Sequence, residues 1–395
     1  MQQVKEVVIV NAARTPIGSF SGALSTIPAA RLGATVIKAV IDQVNLPADR
    51  VDEVIMGNVL PAGQGQAPAR QACIYAGLPE SVECMTINKV CGSGLKSVML
   101  AAHAIALGDA DIVVAGGMES MSLAPYYLPT ARTGFRMGNQ QAIDGMVHDG
   151  LWDPYNNFHM GNAGEICADE HGFTREMQDE FTLESYRRAQ KAVTEGLFDQ
   201  EIVPVEIPQR RGDPKIIDKD QEPFALKEDK VAKLRPAFRK DGTVTAANAS
   251  KINDGAAALL IMSAETAEKL KMEPLARIVS QASYAQKPVE FTTAPAGAVK
   301  KALDKAGLGV ADIDLWEVNE AFSVVTLINN RMLELDPEKV NVRGGAVSLG
   351  HPIGASGARV LTTLLYTMKD EQARYGVATL CIGGGEGAAL VVERI

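Results

Sequence analysis

The sequence predicts an α/β protein built as two similar halves, with sheets covered by helices on both faces. Three observations lead there. Short apolar runs alternate with segments of helical periodicity. The strand-like runs are apolar throughout rather than alternating, as expected for strands buried on both sides. Three short echoes recur in the same order along the chain. Asp49-Arg50-Val51-Asp52-Glu53-Val54 is echoed by Ala311-Asp312-Ile313-Asp314-Leu315-Trp316. Cys91-Gly92-Ser93-Gly94-Leu95-Lys96 is echoed by Gly354-Ala355-Ser356-Gly357-Ala358-Arg359. Asp254-Gly255-Ala256-Ala257-Ala258-Leu259 is echoed by Glu386-Gly387-Ala388-Ala389-Leu390. One such echo arises by chance; three in order indicate a doubled fold.

Residues 7–10 read as the first strand, 29–44 as a helix, and 51–56 and 112–115 as further strands. The clearest helix is 93–107. Leu95, Val98, Met99, Ala102, Ile105 and Ala106 recur at helical spacing, and Gly108 supplies the stop. The third echo marks the last strand of each half. Residues from about 119 to 247 have no counterpart in the second half and are richer in charge, proline and polar residues, notably 209–233. They read as an insertion, either a carrier of substrate contacts or a plain surface subdomain.

The 395 residues exceed a single domain of about 150 and can bury a large core. With 46% hydrophobic and 22% charged residues, the composition is that of an ordinary globular protein. A net charge of −9 argues against a nucleic-acid partner, while leaving room for a local basic patch. The five cysteines (Cys73, Cys84, Cys91, Cys167, Cys381) form no C-x-x-C pair, which excludes a zinc ribbon and points to a reducing compartment. No apolar run is read as reaching the ~18 residues of a membrane span. No leader or retention signal is read at either end, so the expected location is cytoplasmic.

Four segments carry residues able to do chemistry. Cys91, in Asn88-Lys89-Val90-Cys91-Gly92-Ser93-Gly94, precedes the clearest helix. Free N–H groups and a partial positive charge there are expected to lower a thiol pKa; the competing reading is a buried apolar cysteine. His351 lies in the glycine-rich Gly350-His351-Pro352-Ile353-Gly354 beside a second helix start, where it can serve a cysteine as base or be a structural histidine. Cys381 precedes Gly383-Gly384-Gly385, whose N–H groups either hold an oxyanion or merely turn a hairpin. Asn319 and Glu320, in Asn319-Glu320-Ala321-Phe322, sit between strand-like and helix-like segments. Asn319 is either a helix cap or a polar group aimed at a reacting carbonyl.

Taken together these segments, with Asn248-Ala249-Ser250 and Asn253-Asp254-Gly255-Ala256-Ala257-Ala258, resemble the thiolases over essentially the whole chain, specifically the short-chain acetyl-CoA acetyltransferases. The resemblance implies a five-layered α-β-α-β-α fold of two βαβαβαββ halves: residues 1–265, including the inserted loop domain, and 273–395. It implies reversible condensation of two acetyl-CoA to acetoacetyl-CoA and CoA. Cys91 would carry the acetyl group and His351 would take its proton. Cys381 would exchange the α-carbon proton. Asn319, through a water, would share one oxyanion site with His351, and the N–H groups of Cys91 and Gly383 would form the other. Two sites suit a reaction that develops charge on an enolate and on a tetrahedral adduct.

By the same resemblance, coenzyme A would lie along Ser250, Ala249, His159, Met160 and Phe322, with Lys227 and Lys230 near its phosphates. The loop around those lysines departs from the usual pattern, as does Gly161-Asn162-Ala163-Gly164-Glu165. No tightly bound cofactor or metal is required. A potassium ion, carried beside the coenzyme A loop by mitochondrial-type members, would take Tyr186, the carbonyls of Ala246, Ala247 and Ala249, and Val347. The implied assembly is a homodimer or homotetramer, with no membrane or nucleic-acid partner. Phe291 would close the acyl end of the pocket. The competing readings are a broader-range 3-ketoacyl-CoA thiolase, a ketoacyl-synthase-type condensing enzyme and a non-catalytic acyl-CoA binder. A synthase would pair its cysteine with two histidines, and a mere binder would not need Cys91, His351 and Cys381 together.

Overall fold

The computed structural model describes residues 4–395. The first half runs β1 (Val7–Arg14), α1 (Ala29–Asp42), β2 (Glu53–Gly57), α2 (Pro68–Tyr75), β3 (Glu83–Ile87), α3 (Ser93–Leu107) and β4 (Ile112–Ser120). Two long helices, α4 (Met160–His171) and α5 (Arg175–Thr194), are inserted before β5 (Asn253–Ser263). The second half runs β6 (Ala276–Ala285), α6 (Ala294–Ala306), β7 (Leu315–Val318), α7 (Ser323–Leu333), α8 (Ser356–Asp370), β8 (Tyr375–Ile382) and β9 (Glu386–Arg394). Helix α3 has the expected bounds, with Gly108 left-handed at φ 84°. The strands expected at 7–10 and 112–115 run on to Arg14 and Ser120. Small and polar residues extend them, which an apolar count misses.

Both halves pair their strands alike. In the first, β1 is antiparallel to β5, β5 antiparallel to β4, and β4 parallel to β2, which is parallel to β3. In the second, β6 is antiparallel to β9, β9 antiparallel to β8, and β8 parallel to β7. The three sequence echoes fall at equivalent places: the approaches to β2 and β7, the starts of α3 and α8, and the closing strands β5 and β9. The sheets join at one edge, where Val8 and Ile9 pair with Arg277 and Ala276.

Three apolar cores separate five layers. Leu32, Val36, Ile37 and Val40 of α1 cover the outer face of the first sheet at Val54, Val114 and Leu260. Helices α3 and α8 fill the middle, with Leu95, Val98, Leu361 and Leu364 between Ile55 and Leu259 on one side and Leu380 and Leu390 on the other. Val299 and Leu303 of α6 cover the outer face of the second sheet at Val377 and Val391. A helix packed from both sides is apolar nearly all round. That corrects one expectation: the window Val90–Leu107 does have the length and hydropathy of a membrane span, yet here it runs through the central layer.

The two central helices meet backbone to backbone at their N-terminal turns. A Cβ on Gly357 would lie 2.2 Å from the Leu95 nitrogen, and one on Gly94 would lie 2.6 Å from the Ala358 nitrogen. Beside them, a Cβ on Gly117 would fall 2.0 Å from the Gly354 carbonyl oxygen. The insertion is tied to β1 by a fully buried ion cluster. Arg14 donates to Glu201 at 2.5 Å and to both oxygens of Asp220 at 2.8 and 2.9 Å.

Gly357→Ala should lower the melting temperature and the activity together, because overpacking against backbone costs roughly 1–3 kcal/mol. Gly309→Ala, whose Cβ would meet only Asp312 at 3.5 Å, is the control and should change neither. Differential scanning calorimetry with a parallel activity assay decides it; equal stability of the two variants would remove the close helix contact as a constraint.

Candidate active site

The turn before α3 is held by its own polar residues. Asn88 Oδ1 accepts from the Val90 N–H at 2.9 Å, while Ser93 Oγ accepts from the Lys89 N–H at 2.8 Å and donates to the Val90 carbonyl at 2.7 Å. Val90 is left at φ 46°, a left-handed conformation costly for a β-branched residue. This strained turn presents Cys91 to a cavity of about 580 Å³, whose wall also holds His351 and Gly383.

The expected low thiol pKa does not hold. Burial pushes Cys91 up to about 11, and the N–H groups of Gly383 and of Cys91 itself oppose the rise only in part. Desolvation of a thiolate in this apolar wall outweighs the helix-end charge. His351 is also neutral: burial, then the Arg359 guanidinium, lower it to about 3. Its Nδ1 lies 2.5 Å from Ser356 Oγ, and that hydroxyl donates its hydrogen to the Pro352 carbonyl at 3.0 Å. With that hydroxyl hydrogen on Pro352, Nδ1 is the protonated nitrogen, and Nε2, which has no partner among the described residues, keeps its lone pair. The His351 backbone N–H is anchored on Asn253 Oδ1 at 2.9 Å.

Asn319 is not a helix cap. Helix α7 starts at Ser323 with Phe322 in the capping place. Asn319 is fully buried, its backbone N–H donates to the Thr379 carbonyl, and both its side-chain polar atoms lack a partner among the described residues. Such an amide calls for a bound water. Its neighbour Glu320 pins the loop, accepting from Ser185 at 2.7 Å, Asn341 at 2.9 Å and the Val347 N–H at 3.1 Å.

Cys381 is fully buried near the end of β8, packed with Phe291, Phe322 and Val324. Burial, and then the nearby Cys91, push its pKa well up. Cys91 lines the cavity, and Cys381 is its buried neighbour near the end of β8. The three glycines after it do turn a hairpin, with Gly384 and Gly385 at φ 91° and 88°. The same turn aims the Gly383 N–H at the Cys91 thiol.

The rest of the wall comes from the insertion, the segment that follows it and the second half. Ser250, Ala249, His159, Met160 and Phe322 all line the cavity. His159 Nδ1 accepts from the Gly161 N–H at 3.1 Å, and its ring stacks on Phe238 at 4.7 Å. A Cβ on Gly161 would lie 2.3 Å from the Phe238 ring, so this glycine lets the ring close over the start of α4. Phe291 is buried, faces the cavity, and meets Phe322 edge-on at 6.5 Å. Lys227 and Lys230 are exposed and outside this wall. The residues matched to potassium do not form a free cation cage. Lys251 Nζ already donates to the carbonyls of Ala247 and Ala249, at 3.0 and 2.8 Å. Tyr186 is buried nearby, and Ala246 is exposed at the cavity rim.

Sequence reasoning missed Phe238, Lys251 and Glu119. The fully buried Glu119 carboxylate accepts from the N–H groups of Val59, Leu60 and Gly354 at 2.9, 3.2 and 2.9 Å and from Asn58 at 2.7 Å. It thereby locks the loop that carries His351. Nothing local in the sequence separates it from a surface glutamate.

Comparison with known proteins agrees with this geometry. Models of the thiolase N-terminal and C-terminal domains match residues 7–265 and 272–394. An acetyl-CoA acetyltransferase of Schizosaccharomyces pombe is 51% identical over 391 residues, covering 99% of each chain. One of Chromobacterium violaceum is 56% identical over 392 residues, covering 98% of this chain and all of its own. A probable acetyl-CoA acyltransferase of Staphylococcus aureus is 52% identical over 98% of this chain and 99% of its own. With matches over both halves and nearly the full length, the chain belongs to the thiolase family.

Proposed function

We propose that this chain is an acetyl-CoA C-acetyltransferase, interconverting two acetyl-CoA with acetoacetyl-CoA and CoA through an acetyl group on Cys91. The observation that carries the reading is that one cavity wall holds a protonated Cys91 thiol, a neutral His351 whose Nε2 has no partner among the described residues, and Gly383, whose N–H is aimed at the sulfur. The full-length similarity to acetyl-CoA acetyltransferases supports the substrate class.

In the cleavage direction, Cys91 attacks the ketone carbon of acetoacetyl-CoA while His351 Nε2 takes its proton. The N–H groups of Cys91 and Gly383 meet the new oxyanion. The carbon–carbon bond breaks, and its electron pair leaves as the enolate of acetyl-CoA. The enolate oxygen is met by His351 and the water on Asn319. Cys381, held protonated by burial, gives its proton to the enolate carbon. CoA then returns a proton to Cys381 as its thiolate attacks acetyl-Cys91. Cys91 departs and takes its proton back from His351. Condensation is the reverse.

The coenzyme would run along Ser250, Ala249, His159, Met160 and Phe322, with Lys227 and Lys230 on the loop beyond. The assembly belonging to this reading is a homodimer or homotetramer. The unpaired edge of the first sheet at β3 supports self-association. Sedimentation equilibrium measures it.

Cys91→Ala should abolish cleavage and condensation with the fold intact by circular dichroism. Cys381→Ser should retain acetyl transfer from acetyl-CoA to Cys91 but lose α-proton exchange and condensation, because a poorer acid harms only the carbon step. Equal loss of both partial reactions would contradict the division of roles.

Neither Cys91, at about 11, nor His351, at about 3, titrates between pH 6 and 9. Single-turnover acetylation of the enzyme at saturating acetyl-CoA should therefore be flat across that range in Glu119→Gln, which removes a buried group near the site that titrates there, at about 7. A limb near neutrality would instead indicate a thiolate–imidazolium pair.

A rigid ring at the acyl end should restrict chain length. Acetoacetyl-CoA is expected to be the best substrate, with 2-methylacetoacetyl-CoA weaker and 3-ketohexanoyl-CoA poor. Phe291→Ala should narrow the gap by roughly the 1–3 kcal/mol that overpacking costs. Equal kcat/KM for the short and long substrates in the unmodified protein would favour the broader-range thiolase.

A further inference from the structure

We infer that Lys251 is a built-in cation: its ammonium fills the carbonyl cage beside the cavity, so the loop bearing Ala249 and Ser250 is held without a monovalent metal ion. The geometry is that of a bound cation rather than of a surface ion pair. Nζ donates to two backbone carbonyls, Ala247 at 3.0 Å and Ala249 at 2.8 Å, and makes no ion pair with any carboxylate among the described residues. The Tyr186 ring lies 5.9 Å away. Glu222 and Glu320, both buried, supply negative field at longer range and favour the charged form.

The clip is local. Lys251 folds back onto carbonyls two and four residues before it, and these flank Asn248. The Asn248 amide in turn donates to Asp179 at 3.1 Å and to the Thr243 carbonyl at 3.0 Å. The far side of the same segment is fixed by the Ser250 N–H on the Ala321 carbonyl at 3.0 Å. Lysine and a potassium ion carry the same charge and seek the same oxygen atoms. Both cannot use the Ala247 and Ala249 carbonyls at once, because two like charges would share two neutral ligands in a poorly solvated place. Lys251 is a positioning residue; it holds the wall on which the acyl-CoA rests and takes no part in bond making.

The kinetic arm of the test rests on the acyl-CoA reading; the thermal arm does not. For the unmodified protein, the melting temperature and the KM for acetoacetyl-CoA should be the same in potassium, sodium and choline chloride at equal ionic strength. Lys251→Gly opens the cage. In choline chloride it should melt lower and show a roughly tenfold higher KM, with kcat within about twofold. Potassium, but not choline, should restore both. Lys251→Met fills the same space without charge and should not respond to potassium. Potassium-dependent melting of the unmodified protein, or a Lys251→Gly variant that potassium does not rescue, would overturn the inference. Absence of thiolytic activity in every form would instead refute the catalytic reading and leave the melting data to decide.

Discussion

The close contact between the N-terminal turns of α3 and α8 is the constraint on which the site depends. Cys91 precedes one helix and His351 precedes the other, and the residues that lead into them are equivalents in a doubled fold. Only when Gly94 meets Ala358 and Gly357 meets Leu95 do the two preceding loops reach a common cavity. Side chains at those positions would separate the helices, and the separation would pass directly to sulfur and imidazole. The stack of glycines continues outward, with Gly117 against the Gly354 carbonyl and Gly57 against Ser93. Chemistry at this place is thus made possible by the absence of side chains around it.

The loops are held by buried carboxyl groups, while the reacting groups are uncharged. Glu119 fixes the His351 loop, Glu320 fixes the segment after β7, and Glu165 accepts from Thr243 and Val244 to fix the start of the loop that leads to Ser250. Each is a buried carboxyl group surrounded by hydrogen-bond donors, yet burial still outweighs those bonds at Glu119, raised to about 7, and at Glu320, also raised. Cys91, Cys381 and His351 lie in the apolar space between. There burial raises the thiols and lowers the imidazole, and the resting state carries no charge that would have to be desolvated again when substrate enters.

Much of this was legible in the sequence, for physical reasons that differ by residue. Helix α3 could be bounded to the residue because its apolar spacing and Gly108 are local signals. The duplication was visible because equivalent strands need equivalent small residues. Cys91, His351 and Gly383 were visible as a resemblance spread over distant segments. What failed depended on burial, which a local reading does not supply. The helix-end argument for a thiolate was correct in sign, but desolvation outweighed it. Asn319 looks like a cap until the helix is seen to start at Ser323. Lys251 looks like any lysine until its side chain is seen to fold back into the carbonyls matched to a metal ion.

The insertion shows the same dependence at the other end of the cavity. It is polar in sequence, and its lysines at 227 and 230 remain exposed, yet the part that matters is an aromatic ladder. His159 stacks on Phe238, Phe238 meets Phe322 edge-on at 6.2 Å, and Phe322 meets Phe291 in the same way at 6.5 Å. Edge-to-face rings resist sliding past one another because each presents a positive rim to a negative face. The ladder crosses from the insertion to the second half and ends beside Cys381. A residue change that loosens any rung therefore acts on two things at once: the wall on which the coenzyme arm rests, and the packing that keeps the Cys381 thiol protonated. Affinity and proton transfer are linked here by shape rather than by charge.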